Sequence, residues 1–247
     1  MSDFGLRDAI EYMIEQGADS AKPEVLEIKG QTYCTKALKL YKEPSYKACP
    51  LTAHTLTALI DYLEGKVEEL RDTMIIHVKS PTKVSLLSGL DHERERETLF
   101  EVETNPNGFQ FDRWYDQENF IINMQTAFVP TGETALILAV AGNVEDKTVA
   151  NYGDDGMTQK ATISRGIAGK EDVIVPNPVT LKPFRTFLEV DQPESKFVFR
   201  IHGEGEPQFK LIEADGGLWR YTAVADICQY IKDNIPGSLK QRITVIG

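Results

Sequence analysis

The chain has 247 residues, of which 41% are hydrophobic and 26% are charged, as in an ordinary globular protein. It contains 27 Lys and Arg against 38 Asp and Glu, so its formal net charge at pH 7 is −11. This charge repels phosphate backbones at long range and disfavours general nucleic-acid binding. No apolar run approaches the roughly 20 residues that span a bilayer, and the first residues do not resemble a signal peptide. The sequence therefore predicts a cytoplasmic protein that has no membrane partner.

The cysteines and histidines give no sign of a cofactor or metal centre. Cys34, Cys49 and Cys228 form no CxxC pair, and an odd number of cysteines does not suggest a disulfide framework. The four histidines lack HExxH and HxH spacing, and no GxSxG motif marks a nucleophilic serine. We expect no cofactor and no enzymatic activity from these patterns, although a catalytic triad is defined by geometry rather than by spacing.

The first part of the chain mixes helical and strand patterns. Asp3 is expected to cap a helix that ends at Gly17 and carries Leu6, Ile10, Met13 and Ile14 at helical spacing. A strand pair is predicted at residues 25–28 and 33–41. Pro50 is then expected to open a second helix, whose apolar stripe contains Leu56, Leu59, Ile60, Leu63 and Val67.

The middle of the chain predicts a three-stranded sheet followed by helices. Residues 74–78 and 82–87 have the pattern of a hairpin, and residues 98–103 alternate like a third strand. A helix is predicted at residues 116–128, with Phe120, Ile121, Met124 and Phe128 on one face. The apolar run at residues 133–141 favours a helix by propensity, but a buried strand has the same pattern.

The C-terminal half is dominated by β-branched and aromatic residues. Strands are predicted at residues 147–151, 158–164, 180–190, 196–202, 208–213 and 218–222. An amphipathic helix at about 223–234 and a short tail at 243–246 follow. We therefore predict an α+β fold with a mostly antiparallel sheet in the C-terminal half, packed amphipathic helices, and a C-terminal hairpin followed by a helix. One domain over residues 1–247 is expected, with a possible helix-rich subdomain 1–142 and strand-rich subdomain 143–247.

Asp154 and Asp155 are the weak candidates for a metal site. They follow Tyr152-Gly153, and this string matches the hairpin that presents metal-binding aspartates in some polymerases. The chain is too short for a polymerase, and Asp154-Asp155-Gly156 is also an ordinary turn signal between two strands. We therefore interpret the pair as a turn and expect no metal site.

Arginine and aromatic residues alternate at three places in the chain. Arg113 lies beside Trp114, Arg185 lies between two phenylalanines, and Trp219 precedes Arg220 and a tyrosine. Sheet packing and cation–π pairs produce this pattern, and so do sites that stack on a base, clamp a phosphate or anchor a protein interface. These five residues are the candidates for a ligand or partner site.

Four segments carry a resemblance to a known family. They are Gln117-Glu-Asn-Phe120 at the start of a helix, residues 154–159 in a hairpin, Pro183-Phe-Arg-Thr-Phe187, and the hairpin and helix from Phe209 to Ile235. With them the chain resembles the YfdQ-like family of phage and prophage proteins, a domain of unknown function. The resemblance implies a phage-derived protein in a bacterial host cell, often encoded among early or recombination-associated genes. It implies no catalytic residues.

Three functions follow as hypotheses. The first is a non-enzymatic protein that forms a homo-oligomer, in part through exposed strand edges, and binds a host or phage protein as an early accessory or counter-defence factor. The second is a sponge that sequesters a nucleotide-type signal molecule through its arginine and aromatic residues. The third is an accessory protein or enzyme of phage DNA recombination or replication.

Overall fold

The computed structural model describes residues 4–22, 24–29, 31–34, 47–106, 108–144, 158–165, 169–202 and 206–247. The chain divides into two compact units, residues 1–47 and residues 48–247. Within the described residues, no helix is both long enough and apolar enough to cross a membrane.

The first unit contains one helix and one strand pair. Helix α1 spans Phe4–Ala21, and strands β1 (Val25–Ile28) and β2 (Gln31–Cys34) pair antiparallel. The predicted end of the helix at Gly17 is wrong, because the helix continues for four more residues. One glycine costs a helix interior about 1 kcal/mol relative to alanine, which a long helix tolerates. Asp3 and residues 35–46, where the strand was expected to continue, lie outside the described residues.

The second unit contains a five-stranded mixed sheet. Its strands are β3 (Leu51–Ala53), β4 (Met74–Ser80), β5 (Lys83–Ser88), β6 (Thr98–Glu103) and β13 (Ile243–Ile246). They lie in the order β13-β4-β5-β6-β3. Strands β4 and β5 form the predicted hairpin, and β6, the predicted third strand, pairs antiparallel with β5. Strand β13 is parallel to β4, and β3 is parallel to β6.

Helix α2 begins later than the sequence suggested. The residues after Pro50 form β3, and α2 spans Leu56–Gly65. Thr55 caps the helix, since its side-chain oxygen accepts a hydrogen bond from the backbone N–H of Ala58. Pairing with β6 therefore overrides the local helix signal of Pro50. The predicted stripe is buried except for Val67, which lies beyond the end of the helix and is 74% exposed.

A four-stranded antiparallel sheet forms the second β layer. It consists of β7 (Tyr115–Asp116), β10 (Val179–Leu181), β11 (Ser195–His202) and β12 (Gln208–Glu213), in the order β10-β11-β12-β7. Helices α3 (Gln117–Ala127) and α4 (Gly132–Asn143) contribute to the same core, so the ambiguous run at 133–141 is a helix. Six phenylalanines contribute to this core: Phe109, Phe120, Phe128, Phe197, Phe199 and Phe209.

A separate two-stranded sheet pairs β8 (Thr158–Arg165) with β9 (Gly169–Pro176). The sequence had predicted that residues 158–164 pair with residues 147–151 across a turn at Asp154 and Asp155. Residues 145–157 lie outside the described residues, and the strand that pairs with β8 is β9.

Two strand predictions in the C-terminal half are wrong. The strand expected at 180–190 ends at Leu181, because the chain reaches Pro183, which has no N–H to continue a ladder. The strand expected at 218–222 is instead the first turn of helix α5 (Trp219–Asn234). Its residues Ala223, Ile227 and Ile231 are buried at helical spacing, and this packing overrides the β-propensity of the aromatic run.

The predicted α+β class is confirmed. Helices α2 and α5 share one core with the five-stranded sheet. A hairpin precedes α5, but it is β11–β12, and the expected hairpin of residues 208–213 with 218–222 does not form because Trp219 already begins the helix. The division at residue 142 stays a prediction. For function, the important feature is the joint between β12 and α5, because it brings two of the candidate arginines to one place.

Candidate functional site

A tight turn connects β12 to α5. Gly216 and Gly217 have φ values of +63° and +82°, in the left-handed region that glycine adopts without steric cost. The carboxylate of Asp215 accepts a hydrogen bond of 2.9 Å from the backbone N–H of Gly217. Together these features fix where α5 begins and therefore where Trp219 and Arg220 lie.

Two guanidinium groups lie against the Trp219 ring. The Cζ atom of Arg185 is 4.1 Å from the ring centroid, and the Cζ atom of Arg220 is 4.8 Å from it. Cation–π contacts of this length are attractive because the face of an indole ring is electronegative. The structure thus brings together three of the five candidate residues, although Arg185 comes from a distant loop.

Arg185 is engaged inside the protein. It is 8% exposed, and its Nη1 donates a hydrogen bond of 2.6 Å to Glu213 while its Nη2 donates to the Ser195 hydroxyl. That hydroxyl in turn donates to Asp215 at 2.6 Å. Burial lowers the pKa of Arg185 to about 10, against the opposing effect of Glu213 and Asp215. Arg185 therefore holds Trp219 and the turn in position instead of facing solvent.

Asp215 is held in its charged form by this network. Burial acts to raise its pKa, but hydrogen bonds from Ser195 and Gly217 and the charge of Arg185 outweigh burial, so the pKa lies below its ordinary value. The chain of contacts from Glu213 through Arg185 and Ser195 to Asp215 thus ties β11 and β12 to the start of α5.

Arg220 lies on the other side of the joint, in a large surface groove. This α5 groove has a volume of about 1030 Å³ and lies between α5 and the ends of β4 and β13. It is lined by Val78, Lys79, Ser80, Pro81, Gly216, Gly217, Arg220, Tyr221, Val224, Ala225, Cys228, Gln229, Lys232, Val245, Ile246 and Gly247. Three of these residues are cationic, and no Asp or Glu side chain is among them.

Two of the three cations that line the groove form no ion pair with a described residue. Lys79 forms an ion pair of 3.3 Å with Glu101. Within the described part of the chain, no carboxylate lies within ion-pair distance of Arg220 or Lys232. Both residues are exposed, and Tyr221, beside Arg220, is 78% exposed. The groove therefore combines two cations that pair with no described Asp or Glu side chain, an accessible aromatic ring and apolar side chains.

The remaining candidates, Arg113 and Trp114, lie at a different place. They line a separate, polar cavity of about 340 Å³. Arg113 donates a hydrogen bond of 2.5 Å to the side chain of Gln110, and the Trp114 ring lies 4.9 Å from Nζ of Lys210. The structure does not unite the three arginine–aromatic groups of the sequence.

The candidates from the sequence did not include Lys79 and Lys232, and Tyr221 entered only as the neighbour of Arg220 in the third arginine–aromatic group. A helical repeat in the sequence could have identified Lys232, because Arg220, Val224, Cys228 and Lys232 recur every four residues along one helix. This repeat was not recognised because the expected helix begins at about residue 223, four residues after the start of α5, and so does not include Arg220. Lys79 lies on β4, and nothing in the local sequence links it to α5.

The structure gives no candidate metal centre in the ranges it describes, where no group of three or more His, Cys, Asp or Glu residues could hold an ion. Asp154 and Asp155 lie outside those ranges. In comparisons with known proteins, no family model, curated protein or solved structure matches this chain. The resemblance to the YfdQ-like family stays a prediction.

Proposed function

We propose that this protein is a non-enzymatic binding protein that holds a small anionic ligand of the nucleotide type in the α5 groove. The observation that carries the proposal is the charge of the groove: its described lining contains Lys79, Arg220 and Lys232 and no Asp or Glu side chain, in a chain of net charge −11. A cleft lined by positive charge attracts anions and raises their local concentration, so anion binding accounts for this cleft on an otherwise acidic protein.

The lining matches the parts of a nucleotide. A guanidinium group binds phosphate oxygens through paired N–H donors, and a lysine ammonium binds them as a point charge. Tyr221 offers a solvent-exposed ring on which a base can stack, a contact worth about 1–3 kcal/mol per base. Val78, Val224 and Val245 give the groove an apolar floor that excludes water from the bound ligand.

The chemistry of the lining favours retention of a ligand over its turnover. Cys228 is the one thiol in the groove, and burial raises its pKa, so its nucleophilic thiolate form is disfavoured. We propose that the protein acts by sequestering its ligand in the cytoplasm of a bacterial host. A phage origin and a counter-defence role are consistent with sequestration of a signal molecule.

The first test compares Arg220→Ala with Arg113→Ala. Both variants remove one exposed arginine beside an aromatic residue, but only Arg220 lines the α5 groove. Calorimetric titration with a panel of adenine and guanine nucleotides should show binding that weakens at least about tenfold in Arg220→Ala, since one charged contact contributes about 1.5–3 kcal/mol. Arg113→Ala should bind as the wild type does. Equal loss in both variants, or no nucleotide binding by the wild type, would contradict the proposal.

Self-assembly through α1 is the second candidate function. Leu6, Ile10, Met13 and Ile14 lie on one side of this helix and are 44–67% exposed. Every side chain that the structure describes in residues 1–47 is exposed, so none of these described side chains buries the apolar side of the helix. Helices in water derive most of their stability from packing of an apolar face. A second copy of α1 would supply that packing, because two identical stripes bury each other around a two-fold axis.

Two matched double variants test the assembly. Leu6→Gln with Met13→Gln places glutamine on the apolar side of α1, whereas Asp8→Gln with Glu15→Gln places it on the charged side. Sedimentation velocity at micromolar concentration should show a wild-type oligomer that dissociates in the first variant and persists in the second. A wild-type monomer would exclude self-assembly at these concentrations, and dissociation in both variants would exclude α1 as its specific interface.

A further inference from the structure

We infer that the α5 groove takes an elongated ligand with anionic groups at both ends, of the linear dinucleotide class, in preference to a mononucleotide. The inference rests on the proposed function. Its basis is the spacing of Arg220 and Lys232, the two cations of the groove that form no ion pair with a described residue. Arg220 and Lys232 lie twelve residues apart on α5, so their Cα atoms are separated by about 18 Å along the helix axis.

The orientation of Arg220 preserves this separation. A Cβ atom added to Gly217 would collide with Nη1 of Arg220, so the guanidinium group lies over the turn that precedes the helix. Its Cζ atom also lies 4.8 Å from the Trp219 ring. The side chain is therefore directed toward the start of α5, away from Lys232. One phosphate group cannot contact both cations in this arrangement.

The stretch between the cations suits the uncharged part of such a ligand. Val224 and Cys228 occupy the helix positions between Arg220 and Lys232, and Val78 and Val245 line the groove from the strands. This apolar floor matches bases and sugars rather than further phosphates. Tyr221 lies next to Arg220, so a base stacked on its ring has a phosphate-binding guanidinium beside it.

The size of the groove agrees with a ligand larger than a mononucleotide. Its volume of about 1030 Å³ slightly exceeds the roughly 300–1,000 Å³ that is usual for small-molecule pockets. We therefore assign Arg220 and Tyr221 to one nucleotide and Lys232 to the phosphate at the far end. Lys79 lies on the strand side of the groove, where it is already paired with Glu101.

Titration with ligands of two lengths tests the inference. The protein contains two tryptophans, and Trp114→Phe leaves Trp219, which contacts Arg220, as the single emitter. AMP and a linear di-adenylate with 5′ and 3′ terminal phosphates are each titrated by calorimetry and by Trp219 fluorescence. The di-adenylate should bind at least tenfold more tightly than AMP. Arg220→Ala should weaken both ligands, whereas Lys232→Ala should weaken only the di-adenylate, by about tenfold.

The control for Lys232→Ala is Lys240→Ala, which removes an exposed lysine that does not line the groove and should change neither affinity. Equal affinity for AMP and di-adenylate, or equal loss of both in Lys232→Ala, would overturn the inference while leaving nucleotide binding in place. Failure of the wild type to bind either compound would overturn the proposed function and the inference together.

Discussion

The buried guanidinium of Arg185 stabilises the joint between β12 and α5. Arg185→Ala removes an ion pair with Glu213, a hydrogen bond to Ser195 and the stacking contact with Trp219. Removing one partner of a buried pair usually costs about 3–5 kcal/mol, and the partial exposure of Glu213 places this case near the lower limit. Urea unfolding should therefore show a loss of about 3 kcal/mol. Arg113→Ala, at an exposed position, should change stability by less than about 0.5 kcal/mol. A loss in Arg185→Ala below about 1 kcal/mol would contradict this role.

Asp215 makes the stability of the same joint sensitive to acid. Its folded-state pKa lies below the ordinary value of 3.8, so its ionised form is stabilised by folding. That contribution is fully present above the unfolded-state value and is lost as the pH falls through the lower, folded-state value. The urea midpoint of the wild type should therefore fall between pH 7 and pH 3. In Asp215→Asn the fall should be smaller, while Asp116 and Glu101, whose pKa values are also lowered, still contribute. An unchanged fall in Asp215→Asn would show that this carboxylate is not a source of the acid sensitivity.

At the level of single residues, the sequence singled out three side chains that the fold brings into contact, but it did not predict how each of them is engaged. The alternation of arginine and aromatic residues identified Arg185, Trp219 and Arg220, which the fold brings together. It could not show that Arg185 is buried and paired with Glu213, because the two residues are 28 positions apart and meet only through the sheet. The local sequence alone does not distinguish a buried arginine that stabilises the fold, such as Arg185, from an exposed arginine that lines a groove, such as Arg220.

The turn before α5 is the element on which the position of Arg220 depends. Gly216→Ala and Gly217→Ala both place a side chain at positive φ, at a cost of about 1–2 kcal/mol each. A Cβ at position 216 meets open space, whereas a Cβ at position 217 collides with the Arg220 guanidinium. We expect both variants to lose similar stability in urea, with Gly217→Ala alone changing Trp219 fluorescence in the Trp114→Phe background and weakening nucleotide binding. Identical spectra and affinities in the two variants would contradict the proposed contact.

Secondary structure was predictable where local pattern and tertiary packing agree. The hairpin β4–β5 and strand β6 were found because turn residues separate short runs rich in apolar and β-branched residues, and these runs are largely buried in the sheet. The start of α5 was predicted wrongly because Trp219-Arg220-Tyr221 has strand propensity. The helix is stabilised by the burial of Ala223, Ile227 and Ile231 on one face, which local propensity does not show. The strand β3 after Pro50 depends on pairing with β6, a contact that no local pattern reveals.

At the scale of the whole molecule, the net charge of −11 opposes the local charge of the groove. An anion that approaches the protein at 10 mM ionic strength interacts with charges within a Debye length of about 30 Å, which includes most of the acidic surface. At 150 mM that length is about 8 Å, so the approaching ligand responds mainly to Lys79, Arg220 and Lys232. Added salt should therefore first screen the long-range repulsion between the anionic ligand and the acidic surface. Higher salt is needed to weaken the short-range attraction between the ligand and the cations of the groove.

This argument predicts an unusual salt dependence for nucleotide binding. Stopped-flow measurements of Trp219 fluorescence should show an association rate constant that rises between 10 and 150 mM salt, whereas oppositely charged partners associate more slowly as salt increases. The dissociation rate constant should rise as well, because contact pairs in the groove are screened. Adenosine, which has no phosphate, serves as the neutral control, and its association rate should not depend on salt. An association rate that falls steadily with salt would mean that the basic groove, and not the acidic surface, controls the approach of the ligand.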